Sequence, residues 1–253
     1  MPRRGILFAA IAMLASFGMV RGQEGLGARM SIDRLGDIQT GVYTTSSGTK
    51  FTLSAYAENY LLRFDGNPEI FVLYANHASL GGGVLKYDSG ETALAVSGWG
   101  ALTVYTDAQP GGLPAERTGS SAVPSLPPLS LAEMQKAAAD EATHLAYARG
   151  LRIAFVADWA ALADDSGLRA LTFDAMQNAA RGLDRFAENP AARALLGTRM
   201  DTVHMLTGGK PTIGLHGRTL MVTFVPAHGL VGRASSHGIA RALGRLFDLP
   251  TAG

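Results

Sequence analysis

The stretch Met200–Pro226, MDTVHMLTGGKPTIGLHGRTLMVTFVP, decides the fold of the C-terminal part of the chain. Gly-Gly and His-Gly steps divide it, and both suit tight turns that need a positive φ. In the last segment Leu220, Val222 and Phe224 alternate with polar or smaller residues, which gives one strongly apolar face. We therefore predict an antiparallel meander of three strands: Met200–Leu206, Thr212–Leu215 and Thr219–Val225.

An apolar sheet face must be covered, and three amphipathic helical patterns are available to cover it. They span residues 131–148, 172–188 and 236–247. Ser130 and Glu133 form a capping box that starts the first helix, and Ser235 or Ser236 caps the last one. Between the first two helices, Leu151–Ala157 is typical of a buried strand.

Residues 41–106 have the pattern of an all-β module, with short apolar runs separated by glycine-rich turns. Such regular spacing predicts a small sandwich or barrel of about six or seven strands. The strands are expected at Val42–Thr45, Lys50–Leu53, Tyr60–Phe64, Ile70–Tyr74, Gly83–Tyr87, Thr92–Val96 and Leu102–Tyr105.

Residues 107–129 are rich in proline, glycine and serine, a composition typical of an extended linker. We place a domain boundary there, between a β-rich domain at 23–106 and an α+β domain at 130–253. The predicted fold class is α+β. In the C-terminal domain, helices cover the meander, and the two domains are expected to fold independently.

The first 22 residues are typical of a signal peptide. Arg3-Arg4 precedes an apolar run from Gly5 to Val20, which is shorter than the ~20 residues of a membrane span. We expect cleavage before Gln23 and a periplasmic or secreted chain without stable membrane insertion. The alternative is an inner-membrane anchor formed by an uncleaved N-terminal segment.

Composition limits the chemistry further. The chain has no cysteine, which excludes disulfides, thiolate nucleophiles and cysteine-ligated zinc or iron–sulfur sites. A formal net charge of +1 gives no general attraction to nucleic acid, and we expect no nucleic-acid partner.

Several residues are candidates for a site, but each also has a structural interpretation. Asp158 follows a predicted strand and suits an N-cap, and Asp164-Asp165 suits a solvated helix end. His204, His216 and His228 would form a zinc site only if a strand, a turn and a loop converged. There is no HExxH motif and no G-x-S-x-G elbow, so we expect no metal and no cofactor.

The best candidate site is the glycine-rich loop at residues 229–238, which leads into the last helix. A helix N-terminus presents free N–H groups and a partial positive charge to an anion. We predict a small-anion site there, built from Gly232, Arg233, Ser235, Ser236 and His237. In the alternative interpretation, the serines only cap the helix and Arg233 pairs with a surface acid.

Four segments resemble those of a known family: LRFDGNPE at 62–69, TVYT at 103–106, PGGLPA at 110–115 and GRASS at 232–236. In these segments the chain resembles an exported proteobacterial family that carries a domain of unknown function. The resemblance implies a cell-envelope setting. It implies no activity, and no catalytic residue can be carried over from it.

No motif decides whether the protein is an enzyme. We expect a non-catalytic envelope protein that binds another envelope protein or a small anionic ligand. The alternative is a periplasmic hydrolase acting on an anionic small molecule near residues 228–237.

Overall fold

Eight antiparallel strands close into a barrel in the first part of the chain. The structure is a computed structural model that describes residues 38–77 and 82–249, so the predicted signal peptide lies outside the described residues. The barrel strands are β1 (Gly41–Thr45), β2 (Lys50–Tyr56), β3 (Asn59–Phe64), β4 (Phe71–His77), β5 (Gly83–Lys86), β6 (Thr92–Val96), β7 (Leu102–Thr106) and β8 (Gln109–Gly119). The predicted β-rich module is therefore confirmed as a barrel.

Strand β8 lies within the residues predicted to form a linker. It pairs with β7 on one side and with β1 on the other, and these ladders close the barrel. Pro110 and Pro114 precede the residues from Ala115 to Gly119 that pair with β1, so β8 has a ladder on one side only at these prolines, and proline is tolerated at such an edge position. The irregular connection is limited to residues 120–130.

The barrel interior is filled by the alternating apolar residues of its strands, among them Phe51, Leu62, Phe71 and Leu94. Strands β3 and β4 are buried on their outer face as well. Consecutive residues such as Leu61 and Leu62 are both buried there, which breaks the simple alternation of a half-exposed strand.

The outer face of the barrel contributes to the core of the C-terminal part. Leu61, Ile70 and Val72 belong to the same cluster of buried side chains as the apolar residues of the C-terminal sheet and helices. The two parts thus share a packed interface. We accordingly expect one cooperative unfolding transition in place of two independent ones.

Within residues 131–249, the C-terminal part contains four α-helices and a four-stranded sheet. Its elements are α1 (Leu131–Arg149), β9 (Ala154–Ala157), α2 (Ser166–Phe186), α3 (Pro190–Arg199), β10 (Thr202–Thr207), β11 (Thr212–His216), β12 (Thr219–Phe224), a 3₁₀ segment (Pro226–Gly232) and α4 (Ser236–Leu246). The capping box on α1 and the Ser235 cap on α4 are confirmed. Helix α2 begins six residues earlier than predicted, because the Asp165 side chain caps it at Leu168 N. Among the described helices, none is long and apolar enough to cross a bilayer.

The predicted antiparallel meander is wrong in its strand order. The sheet runs β11-β12-β10-β9, and β10 pairs in parallel with both β9 and β12. Only the β11–β12 hairpin is antiparallel. Strand β12 takes the central position because Leu220, Val222 and Phe224 are all buried, whereas β11 is only half-buried and suits the edge.

The connection between β10 and β11 explains why this order is possible. Gly208 to Pro211 contains four residues, which reach ~13 Å when extended. That reach is enough to pass over one intervening strand, because strands two apart lie about 9.6 Å from each other. The sequence pattern of a hairpin turn did not distinguish this crossing from a direct return.

Candidate functional site

A row of aromatic rings runs through the barrel and ends at a histidine from helix α4. Within the row, Phe64 lies 6.4 Å from Phe71, and Phe71 lies 5.2 Å from Tyr87 between ring centroids. The imidazole of His237 then stacks on Tyr87 at 4.1 Å, with the two planes 7° apart. Helix α4 therefore places His237 in the mouth of the barrel, as the last ring of the row.

His237 is held there by a carboxylate of the barrel. Its Nδ1 lies 2.6 Å from Glu91 Oε2, and the same oxygen accepts from Ser89 Oγ at 3.1 Å. The hydrogen bond to His237 lowers the pKa of Glu91. Because Nδ1 faces a carboxylate, the neutral ring carries its proton there, which leaves Nε2 as an acceptor. Among the described residues no group bonds to Nε2.

The N-terminus of α4 is already occupied by carboxylates of the barrel. Asp88 accepts from Ser235 N at 2.8 Å and from Ser235 Oγ, and Glu69 accepts from Ser236 N at 2.8 Å. Gly238 lacks a Cβ, which lets the Asp88 carboxylate approach closely. The N–H groups that we predicted to bind an external anion therefore bind two internal ones.

Glu69 is almost completely enclosed at this interface. Burial raises the pKa of its carboxyl, although the hydrogen bonds from Ser236 and the charges of Arg181 and Arg233 oppose the rise. Its position between barrel and helix makes it a structural contact between the two parts of the molecule.

Arg233 also differs from the prediction, since it is buried and faces the protein interior. It is 4% exposed, forms an ion pair with Asp174 of α2, and donates from Nη2 to Ile70 O at 2.8 Å. Burial raises the pKa of Asp174, and the guanidinium opposes that rise. A side chain held in this way joins α2 to the barrel and is not available to a ligand from solvent.

A surface that is open to a ligand lies beside this junction. A cleft of about 780 Å³ separates the barrel mouth from helices α2 and α4. Its barrel wall includes Phe64, Asn67 and Tyr105, and its helical wall includes Arg185 and Arg241. The Glu91–His237 pair lies between the two walls and lines the cleft as well. Of the predicted site residues, His237 alone lines this cleft.

The other candidate residues remain apart from the cleft. Asp158 Oδ1 accepts from Ala161 N at 3.2 Å, as its N-cap interpretation predicted. His204 lies within β10, His216 ends β11 and His228 lies in the 3₁₀ segment. In residues 38–77 and 82–249, no group of three histidine or carboxylate side chains has a metal-binding arrangement.

The serines next to His237 do not form a nucleophile–base pair with it. Ser235 Oγ bonds to Asp88, and Ser236 Oγ is buried beside the carboxylate of Glu69. Adjacent positions at a helix start point in different directions, so sequence proximity to His237 gives no catalytic geometry. Neither serine therefore supplies the hydrolase alternative with a nucleophile activated by His237.

Sequence reasoning missed the carboxylates that organise the site, namely Glu69, Asp88 and Glu91. A signal was present in the turn that joins β5 to β6, where two acids flank Ser89-Gly90. Two acids at one barrel rim are suited to meet a helix N-terminus. Nothing in their spacing, however, identifies the helix that they meet.

The comparisons with known proteins agree with the resemblance found in the sequence. A family model described as "Domain of unknown function (DUF4908)" matches residues 28–243. The chain belongs to this family. The matched region contains both the barrel and the C-terminal part, so the cleft between them lies within the family's domain. Neither the comparison with curated proteins nor that with solved structures found a match.

Proposed function

We propose that the protein is a non-catalytic binding protein of the cell envelope, whose ligand occupies the cleft between the barrel mouth and helices α2 and α4. The observation that carries the proposal is the cleft itself. Its volume of about 780 Å³ is in the range of small-molecule sites, and aromatic and polar side chains share its walls.

The composition of the walls supports binding by apolar contact together with a few fixed polar groups. Phe64 and Tyr105 are half-buried, so their rings retain surface that a ligand can cover. The polar groups are held in place by other protein groups, as His237 is by Glu91 and Arg185 by Asp107. Such prior ordering reduces the entropy lost on binding.

A hydrolase remains the second candidate, and His237 is the feature that favours it. Its ring is oriented by Glu91 and lines the cleft, which is the arrangement of a general base. Binding is favoured over hydrolysis because no serine or threonine hydroxyl is hydrogen-bonded to His237 among the described residues. A general base that activates water directly would not need a protein hydroxyl, so hydrolysis of model esters is worth measuring in parallel.

The proposal is tested with N-phenyl-1-naphthylamine, a neutral dye whose fluorescence rises in apolar surroundings. Wild-type protein should bind it with saturable enhancement. Ala108 is exposed at the cleft rim, so Ala108→Trp should fill the entrance and weaken binding by about tenfold or more.

A matched control is available on the same barrel. Ala101 is also exposed, but it lies outside the cleft in the connection before β7. Ala101→Trp should leave dye binding unchanged. Equal binding by both variants and wild type, or no binding by wild type, would contradict the proposal.

The envelope setting rests on Arg3-Arg4 and the apolar run that follows them. Mass spectrometry of fractionated cells should find a chain that begins near Gln23 in the periplasm or medium. A full-length chain in the cytoplasm would contradict export and leave the cleft proposal standing.

A further inference from the structure

Several hydrogen-bond donors of the cleft have no partner among the described residues, and these donors indicate a ligand class. Three carboxylates line it, and each already has a basic partner. The pairs are Glu91 with His237 at 2.6 Å, Asp107 with Arg185, and Glu188 with Arg149 at 3.9 Å. Their acceptor capacity is therefore partly used within the protein.

The two asparagines of the cleft have used their acceptors too. Asn67 Oδ1 accepts from Glu69 N at 2.9 Å, and Asn189 Oδ1 accepts from Ala191 N at 2.9 Å. These bonds fix which end of each amide is left over, because the oxygen is bound and the nitrogen is not. Each Nδ2 has no hydrogen-bond partner among the described residues. Both amides therefore offer donors to a ligand.

Arg241 completes the set of donors. Its Nη1 donates to Ser89 O at the edge of the cleft, and among residues 38–77 and 82–249 no carboxylate lies within ion-pair distance of it. The backbone contact fixes one edge of the guanidinium and leaves the other edge for a second partner. Arg241 is thus a positioned cation without a carboxylate partner in the described part of the chain.

We propose that the cleft selects an amphipathic carboxylate, with its apolar body against Phe64 and Tyr105 and its carboxylate on Arg241. The inference rests on the proposed function, since it requires that the cleft bind a ligand at all. A carboxylate is acceptor-only and can accept from the free donors of Arg241, Asn67 and Asn189, whereas a ligand that mainly donates would leave these groups unpaired. A guanidinium with a free edge binds a carboxylate by charge-assisted hydrogen bonds.

The test compares naphthalene-2-acetate with its neutral analogue naphthalene-2-acetamide by isothermal titration calorimetry. The two have the same ring system and differ in the terminal group. Wild-type protein should bind the carboxylate about tenfold more tightly than the amide. Arg241→Gln should reduce that ratio to about one, while binding of the amide persists.

Two further variants show whether the charge on α4 or the position of that charge decides the ratio of carboxylate to amide affinity. Arg241→Lys keeps the cation and should keep part of the preference for the carboxylate. Arg245 lies one turn further along α4, is exposed and does not line the cleft, so Arg245→Gln should leave the ratio unchanged.

The possible failures are distinguishable. If wild type binds the neutral dye in the cleft but prefers neither naphthalene compound, or binds neither, the carboxylate inference is overturned and the binding function stands. If Arg245→Gln lowers the ratio as much as Arg241→Gln does, the preference comes from general charge and the assigned contact is overturned. If wild type binds neither the dye nor the two naphthalene compounds, both proposals fail.

Discussion

The contact between barrel and helices has two regions that use similar side chains for opposite purposes. In the enclosed region, Arg233 pairs with Asp174 and Glu69 binds the start of α4. In the open region, Glu91 pairs with His237 and Arg241 bonds to a backbone carbonyl at the edge of the cleft. The difference is solvent access, because enclosed charges are paired within the protein while open ones keep free atoms for a ligand.

Removing the enclosed cation should have the largest effect. Arg233→Met leaves the Asp174 carboxylate buried without a partner and should reduce the free energy of unfolding by about 3–5 kcal/mol. Urea denaturation measures the change. Combining it with Asp174→Leu should recover most of the loss, because an apolar pair buries no charge. If Arg233→Met lowered the free energy of unfolding by only about 0.5 kcal/mol, as at an ordinary surface position, Arg233 would not be an enclosed charge.

A smaller and pH-dependent effect is expected at Glu69. Burial raises the folded-state pKa of this carboxyl, so the native state binds more protons than the unfolded chain between the two pKa values. The contribution of Glu69 to stability is therefore full below its unfolded pKa and declines as pH rises through that window.

Glu69→Gln removes this titration and keeps an oxygen for Ser236 N. The variant should be more stable relative to wild type at neutral pH than under acidic conditions, as measured by urea denaturation across the pH range. A difference that does not change with pH would show that the carboxyl of Glu69 is not perturbed.

The smallest effect on stability is expected in the open region. Glu91 is partly exposed, and Glu91→Gln can keep a hydrogen bond to His237, so the loss should stay below about 1 kcal/mol. The lowered pKa of Glu91 means that its contribution is present above the unfolded pKa and is lost as pH falls through the folded one. Thermal denaturation at neutral and acidic pH measures the stability loss of the variant and its dependence on pH. If Glu91→Gln lowered the free energy of unfolding as much as Arg233→Met does, Glu91 would belong with the enclosed charges.

The sequence predicted local structure well because local structure depends on nearby residues. Ser130 with Glu133 identified the start of α1, and the apolar alternation of Leu220, Val222 and Phe224 identified β12. It failed at β8, where proline and glycine indicated a linker but the two neighbouring strands supplied a ladder. Strand order in the C-terminal sheet also depends on distant elements, because it follows from how much apolar surface each strand buries. For that reason it was missed.

The candidate site was predictable only in part. The loop leading into α4 was identified as a place where backbone N–H groups seek an anion, and the structure places carboxylates there. Those carboxylates come from the barrel, 147 and 167 residues away in sequence, and no local pattern records such contacts. Arg233 was assigned to a ligand because burial of a charged side chain cannot be read from its neighbours.

The most direct measurement of the central claim is the nuclear magnetic resonance spectrum of the histidine imidazoles during titration with naphthalene-2-acetate. The signals of His237 are assigned by comparison with His237→Gln, and His144, His204, His216 and His228 serve as internal references outside the cleft. If the cleft is the binding site, the His237 signals shift saturably and those references stay in place. If a reference histidine shifts while His237 does not, the ligand binds elsewhere and the cleft is not the binding site.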